Sequence, residues 1–509
     1  MSLADEMFAA SMDWSPFLPS MFGIPGWDDK LEDLSVEGEQ ALRARVADIL
    51  ARVDTSDEDE VTRAVIRHQG ESIVARIDAR LIEHTVAFGM SAPVNAVLMM
   101  ASRVDMSQRR DKVARHVEQA GQRVRDSDRR PLARHLATGV RRMESFLASP
   151  VQEWEGSESP RIRQSVAGFR DVLASVEGRP DDKPGICWLP DGERNYASLV
   201  RNYTTTSYTP AELHRLGLDL IASLRDEYAE IGSKVWGTTD VPEIFHRLRT
   251  ELLWANEDEM VVHATEAIAR AEAAAPQWFG RMPKVGCEVR LVAPEEREGA
   301  AIAFYQPAPV DGSRPGTYWL NPLGATERSR TLSEVTAFHE AVPGHHYQLS
   351  IASETEQPNL RRFAFIEAYL EGWGLYTERL ADEMGLYSSQ EQRLGMLGLD
   401  AMRAGRLVVD TGLHAFGWTR QQAIDYLREN TVMTEPEIVS EVDRYIEVPG
   451  QALAYMVGRL EIQRVRDEAA ARLGDRFDVR AFHDLVIGLG PVPLPVLDQQ
   501  VTAWSAASP

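Results

Sequence analysis

The stretch FHEAVPGHHYQ, residues 338–348, places four side chains with metal or proton chemistry within eight positions: His339, Glu340, His345 and His346. A hydrolytic metal centre needs neutral imidazoles, usually a carboxylate, an open coordination position and a base nearby. The spacing here is unusual. A regular helix brings residues four apart onto one face, about 6 Å apart along its axis, yet the fourth residue after His339 is Pro343. On an unbroken helix His345 would point to a different face, and His346 would lie two turns away. Proline lacks the N–H that continues a helix and crowds the preceding turn. Gly344 frees the backbone to depart from helical geometry. The expectation is a bulged helix in which the VPG insertion returns His345 to the face of His339. Spacing alone leaves His346 open as the other second ligand.

A third ligand must come from another element. The stretch FIEAYLEGWGLYTERL, residues 365–380, carries Glu367, Glu371 and Glu378 on one expected helix. Glu371 is the best candidate, because its neighbours are apolar and aromatic and an uncompensated carboxylate among them would be costly. Glu378 suits a supporting role, holding a ligand histidine through its other ring nitrogen. Glu340, next to the first ligand, is placed to take a proton from the attacking water and return it to a leaving nitrogen. Further on, Asp410 and His414 are four apart, as are Tyr455 and Arg459. An Asp410–His414 pair would give a strongly donating imidazole. His414 and Tyr455 would then donate to an oxyanion, and Arg459 would clamp a substrate carboxylate. For each of these four the alternative is a structural hydrogen bond, packing or surface charge.

The elements around these residues follow from hydrophobic periodicity. Three- and four-residue spacing predicts helices over 38–53, 58–88, 105–124, 129–149, 159–177, 209–232, 240–253 and 256–275. Pro and Ser break the run near 147–160. Thr209 followed by Pro210 is a helix start. The texture changes near residue 284. Three short β-branched and aromatic runs predict strands over 287–293, 300–306 and 316–321. Helices return over 332–350, 359–385, 389–415, 419–431, 434–446, 450–473 and 492–505. The expected class is mainly α with a small β-sheet. A helical half, residues 1–280, would form one wall of a cleft, and residues 281–509 would carry the chemistry, the two halves making one integrated structural unit.

The chain has 509 residues and a net charge of −23. So acidic a surface repels a phosphate backbone, so no nucleic-acid partner is expected. The one arginine-rich stretch, Arg109 to Arg142, is interleaved with Asp and Glu. It reads as a solvated helix face, with a partner-binding patch as the alternative. Two isolated cysteines, Cys187 and Cys287, make no disulfide framework. No signal peptide and no apolar run of about 18 residues is seen, so a cytoplasmic protein without a membrane span is expected.

Several stretches together, HEAVPGHHYQ, EGWGLYTERL, DTGLHAFGWTRQQAI, PGQALAYMVGRLEI and DGSRPGTYWLN, resemble the signatures of the bacterial domain-of-unknown-function 885 family, usually grouped with zincin-like metallopeptidases. Many of its members look like lipoproteins, whereas no lipoprotein leader is expected from the stretch MSLADEMFAASMDWSPF. The resemblance is dense in the second half of the chain and general in the first. It implies a mostly helical, zincin-like fold and a metal-dependent peptidase, and it maps onto His339, Glu340, His345 and Glu371. The expected function is hydrolysis of short peptides or related amides, with one zinc ion as cofactor. Two alternatives stand beside it. A two-histidine, one-carboxylate set also suits a non-haem iron enzyme. The missing four-residue spacing suits a binding protein on a degenerate peptidase scaffold.

Overall fold

The computed structural model describes residues 1–101, 103–148, 158–294, 297 and 300–507. It is mainly helical with one three-stranded sheet. Two compact units emerge, each built from separate stretches of chain. Residues 1–202, 410–424 and 439–451 form the first, and residues 203–409, 425–438 and 452 onward form the second. Neither unit begins or ends at residue 280. The change of texture near 284 marks where the sheet begins, not where one core gives way to another.

In the first unit, helices Arg110–Asp126, Ala133–Ala148 and Ser159–Ser175 bury apolar stripes against one another. Val117, Val124, Leu136 and Phe169 lie in that core. Most of the break at 147–160 falls outside the described residues. The arginine-rich stretch corrects the sequence reading, because several of its side chains turn inward. Arg109 is fully buried and donates to the carbonyls of Pro16, Trp27 and Lys30. Arg123 bridges the buried carboxylates of Glu39 and Glu83. A buried guanidinium with several fixed donors can tie loops together, whereas the interleaved Asp111, Glu118, Asp126 and Asp128 stay exposed beside Arg115 and Arg125, so the solvated face holds for that side of the stretch. Glu447 does the complementary work. Its buried carboxylate accepts the consecutive backbone N–H groups of Val86, Ala87 and Phe88 at 2.6–3.2 Å.

In the second unit, helix Pro210–Trp236 starts as expected. Thr209 caps it with a reciprocal Glu212 box, and Gly237 ends it at φ 70°. The sheet consists of β1 (Cys287–Leu291), β2 (Ala303–Gln306) and β3 (Gly316–Leu320). β3 is central, parallel to β1 and antiparallel to β2. Tyr305 faces Tyr318 across the β2–β3 pair, so Tyr305, Gly316, Tyr318 and Leu320 share one face. Five helices carry the candidate site: α1 (Ser333–Glu340), α2 (His345–Ser353), α3 (Glu367–Glu383), α4 (Gln390–His414) and α5 (Ala454–Leu473). The single helix expected over 332–350 is thus two helices, α1 and α2. Helices Leu3–Trp14 and Val479–Gly488 were not anticipated from periodicity.

Candidate metal centre

α1 ends at Glu340, and α2 begins at His345. The four residues between them form a tight corner. Ala341 adopts φ −107°, ψ −100° and Gly344 φ −79°, ψ −130°. A Cβ on Gly344 would lie 1.8 Å from the His339 carbonyl oxygen, so no side chain fits there. The Trp373 indole N–H donates to the Pro343 carbonyl at 3.0 Å and pins the corner to α3. VPG is therefore a full break that starts a new helix, rather than the bulge expected, because a proline and a zero-volume contact fall within two residues.

The corner sets the His339 and His345 rings at 89° to one another, with centroids 4.7 Å apart. α3 supplies the third group. Glu371 Oε2 lies 3.6 Å from His339 Nε2 and 3.4 Å from His345 Nε2. Two ligands each held about 2.05 Å from a tetrahedral zinc stand roughly 3.3 Å apart, so these three groups have the spacing of a shared ion. They also form the one such cluster among the described residues. Glu371, Gly374 and Glu378 follow one stripe of α3, at i, i+3 and i+7. The His339 ring lies over Gly374, where a Cβ would come within 2.7 Å of it. Glu378 Oε1 accepts from His339 Nδ1 at 2.8 Å. That bond fixes the tautomer and leaves the Nε2 lone pair for a ligand.

The electrostatics agree. Burial alone would lower the pKa of His339, but the Glu371 and Glu378 carboxylates outweigh it and hold the imidazole at about 9. Burial would raise Glu371, but hydrogen bonding to His339 and His345 takes it well below the usual carboxylate range. Two carboxylates converging on the buried His339 and the half-buried His345 form a site that favours a cation. Glu340 is half-buried at the end of α1 and makes no hydrogen bond or ion pair with a described protein group. The neighbouring His346 is a packing residue. It is 2% exposed, its Nδ1 is 2.9 Å from the Tyr305 hydroxyl, and burial lowers its pKa to about 4.

Two further expectations are corrected. The Asp410–His414 pair does not form. Both residues lie in the first unit, fully buried. Asp410 accepts from the Tyr196 hydroxyl at 2.6 Å and the Gly450 N–H at 3.1 Å, and burial pushes its pKa up to about 7. His414 Nδ1 accepts from the Ile186 N–H at 3.0 Å, and Nε2 donates to the Tyr445 carbonyl at 2.9 Å. With both nitrogens committed to backbone and its pKa lowered by burial to about 4, this imidazole is a core cross-link, not an oxyanion donor. Arg459 already has an anionic partner, the buried Asp400, at 3.0 Å, which removes the free carboxylate clamp. Tyr455, half-buried on α5, presents its ring to the guanidiniums of Arg406 and Arg403, 4.5 and 5.7 Å from its centroid. α5 reaches this position through a close crossing of α3, where a Cβ on Gly372 would lie 2.5 Å from Gly458.

Sequence reasoning missed Arg403. Its guanidinium is buried, 4.0 Å from Glu378. The signal was present in α4, where Asp400, Arg403 and Arg406 interrupt an apolar run at three-residue spacing.

A model of a family of bacterial proteins of unknown function, DUF885, matches residues 16–501. Among solved structures, a candidate lipoprotein from Colwellia psychrerythraea superposes with a TM-score of 0.86 at 26% identity, over 99% of this chain and 99% of its own. A candidate lipoprotein of unknown function from Shewanella oneidensis superposes with a TM-score of 0.74 at 18% identity, over 98% of this chain and 99% of its own. At that identity the second likeness concerns the fold alone. No curated protein matches the chain.

Proposed function

The chain belongs to the DUF885 family of bacterial proteins, and from that premise we propose that it is a zinc-dependent metallohydrolase of zincin-like architecture, cleaving short peptides or related amides. The observation that carries the proposal is the His339, His345 and Glu371 trio, with its shared-ion spacing and with Glu378 behind His339. Zinc held by these three would supply Lewis acidity and lower the pKa of a coordinated water to about 7. Glu340 takes the proton as water adds to the amide carbonyl, then delivers it to the leaving nitrogen. A carboxylate with no hydrogen-bond or ion-pair partner among the described residues is free for both steps. Tyr455 donates to the developing oxyanion.

The same donor set would hold Fe(II) in an oxygenase, but Glu340 beside the ligand favours hydrolysis. Metal analysis of protein purified without chelator, followed by zinc reconstitution, tests the site. About one zinc per chain is expected, and protein that neither retains nor takes up zinc would sink the proposal. Glu340→Gln then separates enzyme from binding scaffold: turnover should vanish with the zinc content unchanged. Among the described residues no helix is long and apolar enough to cross a membrane. The sequence reading favours the cytoplasm, whereas the similar structures are named as candidate lipoproteins, which favours the envelope. Fractionation of the host distinguishes the two.

A further inference from the structure

A cavity of about 70 Å³ lies in the second unit, between α1, the sheet and helix Glu257–Ala274. At ~10–15 Å³ per water on this measure it has room for about five waters, or ~150 Å³ of liquid, the bulk of a benzyl group. Trp254, Met260, Ile302 and Leu332 make its walls largely apolar, and the exposed Ile302 marks its mouth. Two features set it apart from a packing defect. First, it is not uniformly apolar, as empty protein cavities are. The Tyr318 hydroxyl, the Ser333 hydroxyl and the Arg328 Nε–H are lining groups that are buried and have no hydrogen-bond partner among the described residues. Tyr318 is fully buried, and all three groups can donate. Second, it runs along the catalytic helix. Ser333 and Thr336 line it, and Glu340 follows them on the same face of α1, at i, i+3 and i+7. The face of α1 that lines the cavity therefore leads toward the candidate base.

We propose that this cavity is the specificity pocket of the candidate hydrolase and takes an aromatic side chain of the substrate, with its donors facing a ring oxygen when one is present. The inference rests on the hydrolase reading for the identity of the occupant. Burying a phenyl ring rather than a methyl group on such walls should favour binding by roughly tenfold to a hundredfold. A ring oxygen meeting the unpaired donors should add a few-fold more.

The test is calorimetric binding of alaninamide, phenylalaninamide and tyrosinamide to the full chain, zinc-free and zinc-loaded. Tighter binding in that order is expected. Ala264→Leu and Ala303→Leu fill the cavity from opposite walls. Each should abolish the aromatic preference while leaving zinc content unchanged, and if one variant misfolds the other decides. Tyr318→Phe should remove the advantage of tyrosinamide over phenylalaninamide. Equal binding of all three amides, or an aromatic preference surviving in a folded filled variant, overturns the pocket. An aromatic preference that the filled variants abolish, in zinc-loaded protein that hydrolyses no amide, upholds the pocket and sinks the peptidase reading instead.

Discussion

Glu378 never touches the substrate in the proposed mechanism, yet it should set how tightly zinc is held. Its Oε1 accepts from His339 Nδ1 at 2.8 Å, and the two side chains are 1% and 5% exposed. Little solvent screens that bond. Replacing a carboxylate that orients a ligand histidine typically costs 10- to 100-fold in metal affinity, or about 1.4 to 2.7 kcal/mol. The two ends of that range correspond to two substitutions. Glu378→Gln keeps an acceptor for Nδ1–H and loses only the charge, so about a tenfold loss is expected. Glu378→Leu removes charge and acceptor together, frees the ring to rotate over Gly374, and should approach a hundredfold. Zinc affinity is read by competition with a chromophoric chelator at pH 7.5, with circular dichroism confirming the fold. Both variants binding zinc within twofold of the parent would refute the link from Glu378 through His339 to the ion. The reverse order, Gln worse than Leu, would show that the charge matters through some route other than orientation.

The corner between α1 and α2 should tolerate no side chain. Gly344→Ala sets a Cβ against the His339 carbonyl, so zinc stoichiometry should fall well below one even where soluble protein is recovered. Arg459→Met should lower stability rather than raise KM, because Asp400 would lose one of its two arginine partners, the other being Arg379. About 1–3 kcal/mol by urea unfolding is expected, and a KM effect on free-acid substrates without a stability change would restore the clamp. For the first unit a pH dependence follows from His135. Burial alone would depress its pKa, but Glu447 and Asp443 raise it to about 9. That stabilisation, of order 3 kcal/mol, is fully present below pH 6.5 and is lost as pH rises through 9. Asp410, raised to about 7 by burial, acts in the same direction, since its folded form prefers the proton. Urea midpoints should therefore fall between pH 6 and pH 9.5, and a flat profile would contradict the charged state assigned to His135.

The second half of the chain was the more legible. A burial argument picked Glu371 out of three glutamates, because an isolated acid between Leu370 and Trp373 must have cationic company. The three strands sit where β-branched and aromatic runs lie, trimmed by a few residues at their ends. Other features depended on long-range contacts. Asp410 and His414 have the spacing of a helical pair, but Tyr196 and two backbone groups from elsewhere in the chain claim their polar atoms. Arg109 and Arg123 look solvated from sequence, because local spacing cannot show the carbonyls of residues 16–30 that receive Arg109 or the Glu39 and Glu83 carboxylates that receive Arg123. Helix Leu3–Trp14 did carry a local signal, the Ser2–Asp5 capping box, which hydrophobic periodicity does not register.

The carboxylate of Glu447 and the three N–H groups it gathers are about 360 residues apart in the chain. That separation has a consequence for biosynthesis. When the ribosome finishes residue 202, the first unit still lacks the stretches 410–424 and 439–451. At roughly 5–20 residues per second, the nascent chain waits on the order of 12 to 50 s for the acid that closes the loop at Val86–Phe88. During that interval the helical bundle is exposed with a gap in its wall and the backbone donors of that loop unanswered. Chains released before residue 447 would lack the closing residue altogether. They are natural clients for holdase chaperones and for proteases that survey unfinished proteins, and residue 451 marks the length beyond which the amino-terminal unit can complete itself.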